Sequence, residues 1–249
     1  MFKLIKTRFH QGYRTTSYPA GTIALPAPYR GRPEVNRSCG PAMIDRCVRA
    51  CPQGAIDGEN RRVDMGRCLF CGECERAGKG EFIRFSQDFR LAAAERSHLF
   101  TSGELPDLAL HAKQHFRKLF GRSLALRQVS AGGCNACEAD TNVLNTPFFD
   151  LSRFGISFTA SPRHADGVHV TGPVTRNMRS ALLATYEAIP EPKVVIASGA
   201  CAISGGPFYG SGEIIPLDTL LPVDLYIPGC PPHPLTTLDA LLQYFSAYV

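Results

Sequence analysis

Eight of the ten cysteines in this chain fall into two sets of four, and no other feature constrains the fold as strongly. Cys51, Cys68, Cys71 and Cys74 lie in one short stretch of the first third. Cys134, Cys137, Cys201 and Cys230 are spread across the second half. Clustered thiolates at spacings such as C-x2-C-x2-C are the ligand pattern of iron–sulfur sites, so each set reads as one such site. Cys39 and Cys47 are left over and resemble the remains of a third. A chain that spends its cysteines in this way reads as an electron wire.

Length and composition narrow the setting. At 249 residues the chain can form one or two domains. Ten cysteines are too sparse for a disulfide scaffold. Met1–His10 carries scattered basic residues but no continuous apolar stretch, so no secretory signal is expected. No run approaches the roughly 20 apolar residues of a membrane span. The thiols are therefore expected in a reducing compartment, the cytoplasm, where clustered cysteines bind metal more often than they pair.

The net charge of +5 conceals an asymmetry. Up to Gly121 there are 20 Lys and Arg against 12 Asp and Glu; from Arg122 onward there are 7 against 10. The basic half could dock on an acidic partner or anionic lipid, offset the charge of thiolate-ligated clusters, or be a solvated face. The basic residues are scattered and lack a stacking-aromatic motif, so no nucleic-acid partner is expected.

Three segments follow from the pattern. Residues 1–100 are rich in Gly, Pro and Cys and read as a small α+β domain. It opens with Phe2, Leu4, Ile5 and Phe9 on one side of a short helix and Lys3, Lys6 and Arg8 on the other, a docking or surface-lying pattern. Residues 101–121 have near-helical apolar spacing, with Asp107 early, Lys113, Arg117 and Lys118 late, and Gly121 as a stop, which predicts a helical connector. Residues 122–249 alternate apolar runs with helical patterns. Expected strands are Leu124–Val129, Gly155–Thr159, Gly167–Thr171, Val194–Ala197 and Leu225–Ile227; expected helices are Thr175–Ala188 and Leu235–Tyr248. That rhythm predicts an α/β fold with a mostly parallel sheet. Each cysteine of the second set follows an expected strand, and open α/β sheets place ligands at the carboxyl ends of strands.

Cys68-Leu-Phe-Cys71-Gly-Glu-Cys74 supplies three thiolates, and Cys47-Val-Arg-Ala-Cys51-Pro52 is the tail of another run. In two-cluster ferredoxins the run is C-x2-C-x2-C-x3-C-P, and its fourth cysteine serves the other cluster. Cys51 therefore joins Cys68, Cys71 and Cys74. The complementary site would need cysteines at 41, 44 and 78, where the chain has Pro41, Ile44 and Gly78. One 4Fe–4S cluster is expected in this half, with Cys39 and Cys47 as free or buried thiols; a zinc knuckle is the competing reading. With MFKLIKT at the start, Ser17-Tyr18-Pro19 and Tyr29-Arg30-Gly31-Arg32-Pro33-Glu34, the half resembles the dicluster ferredoxin subunits of formate hydrogenlyase and respiratory complex I.

In the second half, Gly132-Gly133-Cys134-Asn135-Ala136-Cys137-Glu138 places two thiols on a glycine-bearing loop. Cys201 follows Ala197-Ser198-Gly199-Ala200, and Cys230 lies in Ile227-Pro228-Gly229-Cys230-Pro231-Pro232. With Ser161-Pro162-Arg163-His164-Ala165-Asp166 and Thr171-Gly172-Pro173-Val174-Thr175-Arg176-Asn177-Met178, these motifs resemble the small subunit of membrane-bound, energy-converting NiFe hydrogenases. They are also similar to the complex I subunit carrying the cluster nearest quinone. The resemblance implies a flavodoxin-like fold and a second 4Fe–4S cluster on Cys134, Cys137, Cys201 and Cys230, beside a large subunit's active site. The complex I relatives have adjacent cysteines where this chain has C-x2-C and Gln where it has His164, which favours the hydrogenase branch. Arg163 and His164 would face the cluster and raise its potential, unless Arg163 only pairs with Asp166. Glu138 would be a proton relay or a surface carboxylate.

No Ser-His-Asp arrangement, phosphate loop or nucleotide fingerprint appears, so no complete active site is expected in the chain. The expected role is an electron-transfer subunit with two 4Fe–4S clusters, fusing what related complexes often make as two chains. Its partners would be a hydrogenase-like or complex I-like large subunit and other iron–sulfur or membrane subunits, on the inner face of the cell membrane. The alternatives are the same wire in a complex whose large subunit lacks nickel, and a zinc-stabilised binding module.

Overall fold

A computed structural model describes residues 2–101 and 123–245. The expected connector helix over 101–121 lies outside the described residues apart from Thr101. Among the described residues, no helix is long and apolar enough to cross a membrane.

The first half is built from short elements. A helix over Phe2–Gln11 buries none of its residues. Strand β1 (Pro33–Val35) pairs antiparallel with β4 (Ile83–Phe85), and β2 (Ile56–Asp57) pairs with β3 (Arg62–Val63). Helices Pro41–Ala50 and Glu73–Ala77 pack together beside them. This is a small α+β unit around Ile44, Ile56, Val63, Phe82 and Ile83.

The second half is a five-stranded, all-parallel sheet with helices on both faces. Its strands are β5 (Leu124–Ser130), β6 (Ile156–Phe158), β7 (Gly167–Thr171), β9 (Val194–Ser198) and β11 (Leu225–Ile227). A separate antiparallel pair, β8 (Val174–Thr175) with β10 (Ile214–Ile215), lies outside it. The spatial order of the main sheet is β11-β9-β7-β5-β6, every pairing parallel. Ranked along the chain and read from the other edge, that is 2-1-3-4-5, the flavodoxin-like winding. Parallel strands between two helical layers have no solvent face, which is why GVHVT and VVIAS are mostly apolar and buried at every residue, His169, Thr171 and Ser198 included. All five strands and both expected helices are found, with their described ends within a residue of expectation; the expected end of the last helix at Tyr248 lies outside the described residues.

One layer contains a helix over Ala136–Val143 and the last described helix, Pro234–Phe245, with Leu144, Leu235, Leu238 and Leu241 in the core. Pro234 opens the latter helix, where a missing N–H costs nothing, and His233 Nδ1 accepts a bond from the Leu235 N–H at 3.1 Å. Leu238 and Leu241 are fully buried, each stabilising the fold by about 1.5–3 kcal/mol. The opposite layer holds Arg176–Ala188 and Ala200–Ser204, packing Leu182, Ala202 and Ile203 on the sheet.

The two halves share their cores. Ala93 extends the sheet past β11 by exchanging N–H···O bonds with Tyr226 at 3.0 and 2.8 Å. Tyr18 donates its hydroxyl to Asp239 in the last helix, and Arg153 donates to the Tyr18 carbonyl at 2.7 Å. Ala92, Tyr18, Ile23, Leu25 and Phe89 join the core on that face. On the other face Gly66 approaches Ile203 so closely that a Cβ would sit 2.8 Å from its Cγ2.

Candidate functional site

All four cysteines of each set line one cavity. Cys51, Cys68, Cys71 and Cys74 ring a space of about 340 Å³ closed by Ala55, Ile56, Val63 and Phe85. Cys134, Cys137, Cys201 and Cys230 ring another of about 300 Å³. Among the described residues, no three His, Cys, Asp or Glu side chains converge tightly enough to hold a single metal ion. Four thiols lining one space are a donor set that fits an iron–sulfur group.

The first cavity is local. Cys51 ends the helix over Pro41–Ala50, and Cys68 to Cys74 form the loop leading into Glu73–Ala77. Backbone donors already point at sulfur: the Ala55 N–H lies 3.2 Å from Cys51 Sγ and the Phe70 N–H 3.3 Å from Cys68 Sγ. Such N–H···S bonds offset thiolate charge and tune reduction potential.

The second cavity exists only because the sheet folds. Cys134 and Cys137 follow β5, Cys201 opens the helix after β9, and Cys230 follows β11, all at the carboxyl ends. The winding reverses between β5 and β7, where open sheets form a crevice. Gly133 and Gly172 meet there backbone to backbone: a Cβ on Gly172, held at φ +74°, would lie 2.5 Å from the Gly133 nitrogen. A Cβ on Gly199, at φ +91°, would lie 2.8 Å from Cys137 Sγ, so the cradle admits sulfur where a side chain would block it.

The donor set fits a cationic cluster. Burial above all pushes Cys74 and Cys137 up to about 12 and Cys201 up to about 11; neighbouring thiolates add to it and, for Cys137, the Glu138 carboxylate does so ahead of them. Burial raises Cys68 and Cys230 also. Without a cation these sulfurs hold their protons at neutral pH; a bound metal group supplies the charge that removes them.

Cys39 and Cys47 stand apart from both cavities. They are buried in the apolar core of the first half, Cys47 completely, and Cys47 Sγ lies 3.4 Å from the Cys74 carbonyl. The three missing ligand positions have structural uses: Pro41 starts a helix, Ile44 is in the core, and Gly78 leaves room for Cys47 Sγ, 2.5 Å from where a Cβ would be.

Other predicted residues fall differently. Arg163 and His164 occupy an exposed turn and do not line the thiol cavity. The anticipated Arg163–Asp166 pair is not formed; the Asp166 carboxylate instead accepts the Ala125 N–H at 2.7 Å. Glu138 does line the cavity, and it is buried rather than a surface carboxylate. Burial raises its carboxyl, but hydrogen bonds from Ser130 and Thr171, the latter at 2.7 Å, outweigh that and hold it below its usual value. A buried His169, paired across the strands with Gln128, lies deeper on the same face. GVHVT looks like an ordinary buried strand, so its histidine carried no signal in the chain.

Residues 134–244 match the family described as NADH ubiquinone oxidoreductase, 20 Kd subunit. A probable membrane-bound hydrogenase subunit of Pyrococcus furiosus is 44% identical over 126 residues, covering 50% of this chain and 75% of that one. The chain belongs to this family. Formate hydrogenlyase subunit 7 of Escherichia coli is 46% identical over 127 residues, with 51% of this chain and 50% of that protein aligned. An NADH-quinone oxidoreductase subunit of Carboxydothermus hydrogenoformans is 47% identical over 113 residues, 45% of this chain and 68% of that one. The family match begins at Cys134 and takes in all four cysteines of the dispersed cavity; the first cavity lies outside it.

Proposed function

We propose that the chain is an electron-transfer subunit of a membrane-associated hydrogenase or complex I-like oxidoreductase, holding a 4Fe–4S cluster in each four-cysteine cavity. The observation that carries this reading is the pair of four-thiol cavities in one fold, with Leu69 and Cys230 each lining both its own thiol cavity and the gap between the two. Clusters bound there would supply one-electron transfer. The protein's part is to anchor the thiolates, exclude water with Phe85, Ile56, Val63 and Pro231, and direct N–H donors at sulfur. The membrane-bound hydrogenase and formate hydrogenlyase relatives favour a nickel-bearing large subunit as partner. The NADH-quinone oxidoreductase relative keeps a nickel-free, quinone-linked partner as the second reading.

The exposed helix Phe2–Gln11, with Phe2 and Phe9 outward and Lys3, Lys6 and Arg8 beside them, is the segment we assign to the membrane surface or an adjoining subunit, on the cytoplasmic side. The test is metal analysis of the anaerobically purified complex. About eight irons and eight sulfides per chain, with visible absorption bleached by dithionite, are expected. Stoichiometric zinc instead would overturn the reading, and nickel in the co-purifying large subunit decides between the two partners.

A further inference from the structure

A third cavity lies between the two thiol sites. It has about 640 Å³ of open space and is lined by Tyr29, Arg30, Leu69 and Phe70 from the first half and by Asp140, Cys230 and His233 from the second, among others. Leu69 and Phe70 stand between Cys68 and Cys71, so the same loop walls the first site on one side and this gap on the other. Cys230 lines both the gap and the second site.

Among the described residues, Arg30 brings the one permanent positive charge to this gap. His233 is driven toward its neutral form by burial, and Asp140 is the gap's carboxylate. Arg30 forms no ion pair or hydrogen bond among the described residues, and Asp140 is not its partner. Its guanidinium lies instead against the ligand loop: a Cβ on Gly72 would sit 2.5 Å from Arg30 Nε and 3.0 Å from Cζ. Gly72 directly follows Cys71 and is held at φ +78°. An arginine without a carboxylate, laid on the backbone of a ligand loop, has its charge free to act on whatever that loop binds.

We propose that Arg30 sets the reduction potentials of the two sites, raising both and the first more strongly. Resting on the electron-carrier function above, the argument is electrostatic. Reduction adds one negative charge to a group already surrounded by four thiolates, and a nearby fixed cation stabilises that form. Arg30 touches the Cys71 loop and only shares a cavity with Cys230, so its effect falls off from the first site to the second. Exposure of Arg30 to solvent screens the charge, which limits the effect to a modest one.

The experiment is an EPR-monitored redox titration of the full chain in its purified complex, with iron and sulfide counted for each variant. Arg30→Gln removes the charge and keeps a polar side chain. At a fixed ambient potential it should lower the reduced-to-oxidised ratio of the first cluster about tenfold, about 59 mV for a one-electron couple, and that of the second by less. Arg30→Lys keeps the charge and should hold both ratios within about twofold of the parent. Unmoved potentials in Arg30→Gln with full iron content overturn the proposal. So does a tenfold fall in Arg30→Lys, because charge would then not be the operative property. Should Arg30→Gln lose iron, the Arg30→Lys titration alone decides. A parent protein with no iron and no EPR signal is a different failure, that of the electron-carrier reading itself.

Discussion

The two thiol cavities are of similar size but are assembled by opposite means. The first gathers its thiols from one loop and the end of one helix, and the backbone that carries them also supplies the N–H donors around them. The second gathers its thiols from the ends of three strands, and its geometry is only as good as the packing of the whole sheet. A local site can be lost without unfolding anything else. A dispersed site fails whenever the crevice between β5 and β7 changes shape. A third region completes the contrast: around Cys47 a similar run of sequence has closed into a core shared with Ile44, and Gly78 leaves the room its sulfur takes.

Substitutions can break that contrast. The largest expected effect is on metal content. Cys51→Ala should remove half the iron and leave the sheet and the dispersed cluster intact, as judged by iron analysis and EPR of the remaining signal; loss of both clusters would show that the sites are not independent. Gly172→Val attacks the other site through the fold. A β-branched residue at φ +74°, with its Cβ driven into the Gly133 backbone, should cost about 3 kcal/mol in denaturant unfolding and empty the dispersed cavity first. If the dispersed cluster survives at full occupancy, the crevice does not depend on that contact.

Cys47→Ala makes the opposite prediction. It should cost about 1–2 kcal/mol for the cavity left in the core and no iron at all. Loss of four irons would reassign the ligands of the first site.

A pH-dependent effect sharpens the view of the sheet beneath the second cavity. Burial, only partly offset by the charge of Glu138, depresses His169 to about 4, against about 6.5 in an unfolded chain. Between those values the unfolded chain binds a proton that the folded one refuses. Stability is therefore complete above about 6.5 and falls as pH drops toward 4, by about 1 kcal/mol per pH unit. His169→Leu should flatten that acid limb in denaturant titrations; an unchanged slope would mean that another group dominates it.

Much of this was legible in the chain. Five apolar runs alternating with helical patterns specified a parallel α/β sheet, because strands buried on both faces cannot alternate polar and apolar residues. The C-x2-C-x2-C spacing and the x3-C-P tail grouped Cys51 with Cys68, Cys71 and Cys74, and these four line one cavity. The positions of Cys134, Cys137, Cys201 and Cys230 after strands pointed to convergence, although only the 2-1-3-4-5 winding brings those particular strand ends together.

What the sequence could not supply were contacts between distant segments. Arg163 and His164 looked suited to the second site because a strand-end loop was expected to turn them toward it, yet their turn faces solvent. Glu138 looked like a surface carboxylate until Ser130 and Thr171, at two strand ends, enclosed it. Arg30 carried no signal in its own neighbourhood, and only the folding of residues 18–33 against the Cys68–Cys74 loop and the last helix sets it between the two cavities. Local spacing is written in the chain because ligand geometry and backbone periodicity act over a few residues. The gap where Arg30 meets Cys71 and Cys230 belongs to the tertiary structure, because burial and long-range packing decide which distant side chains share one space.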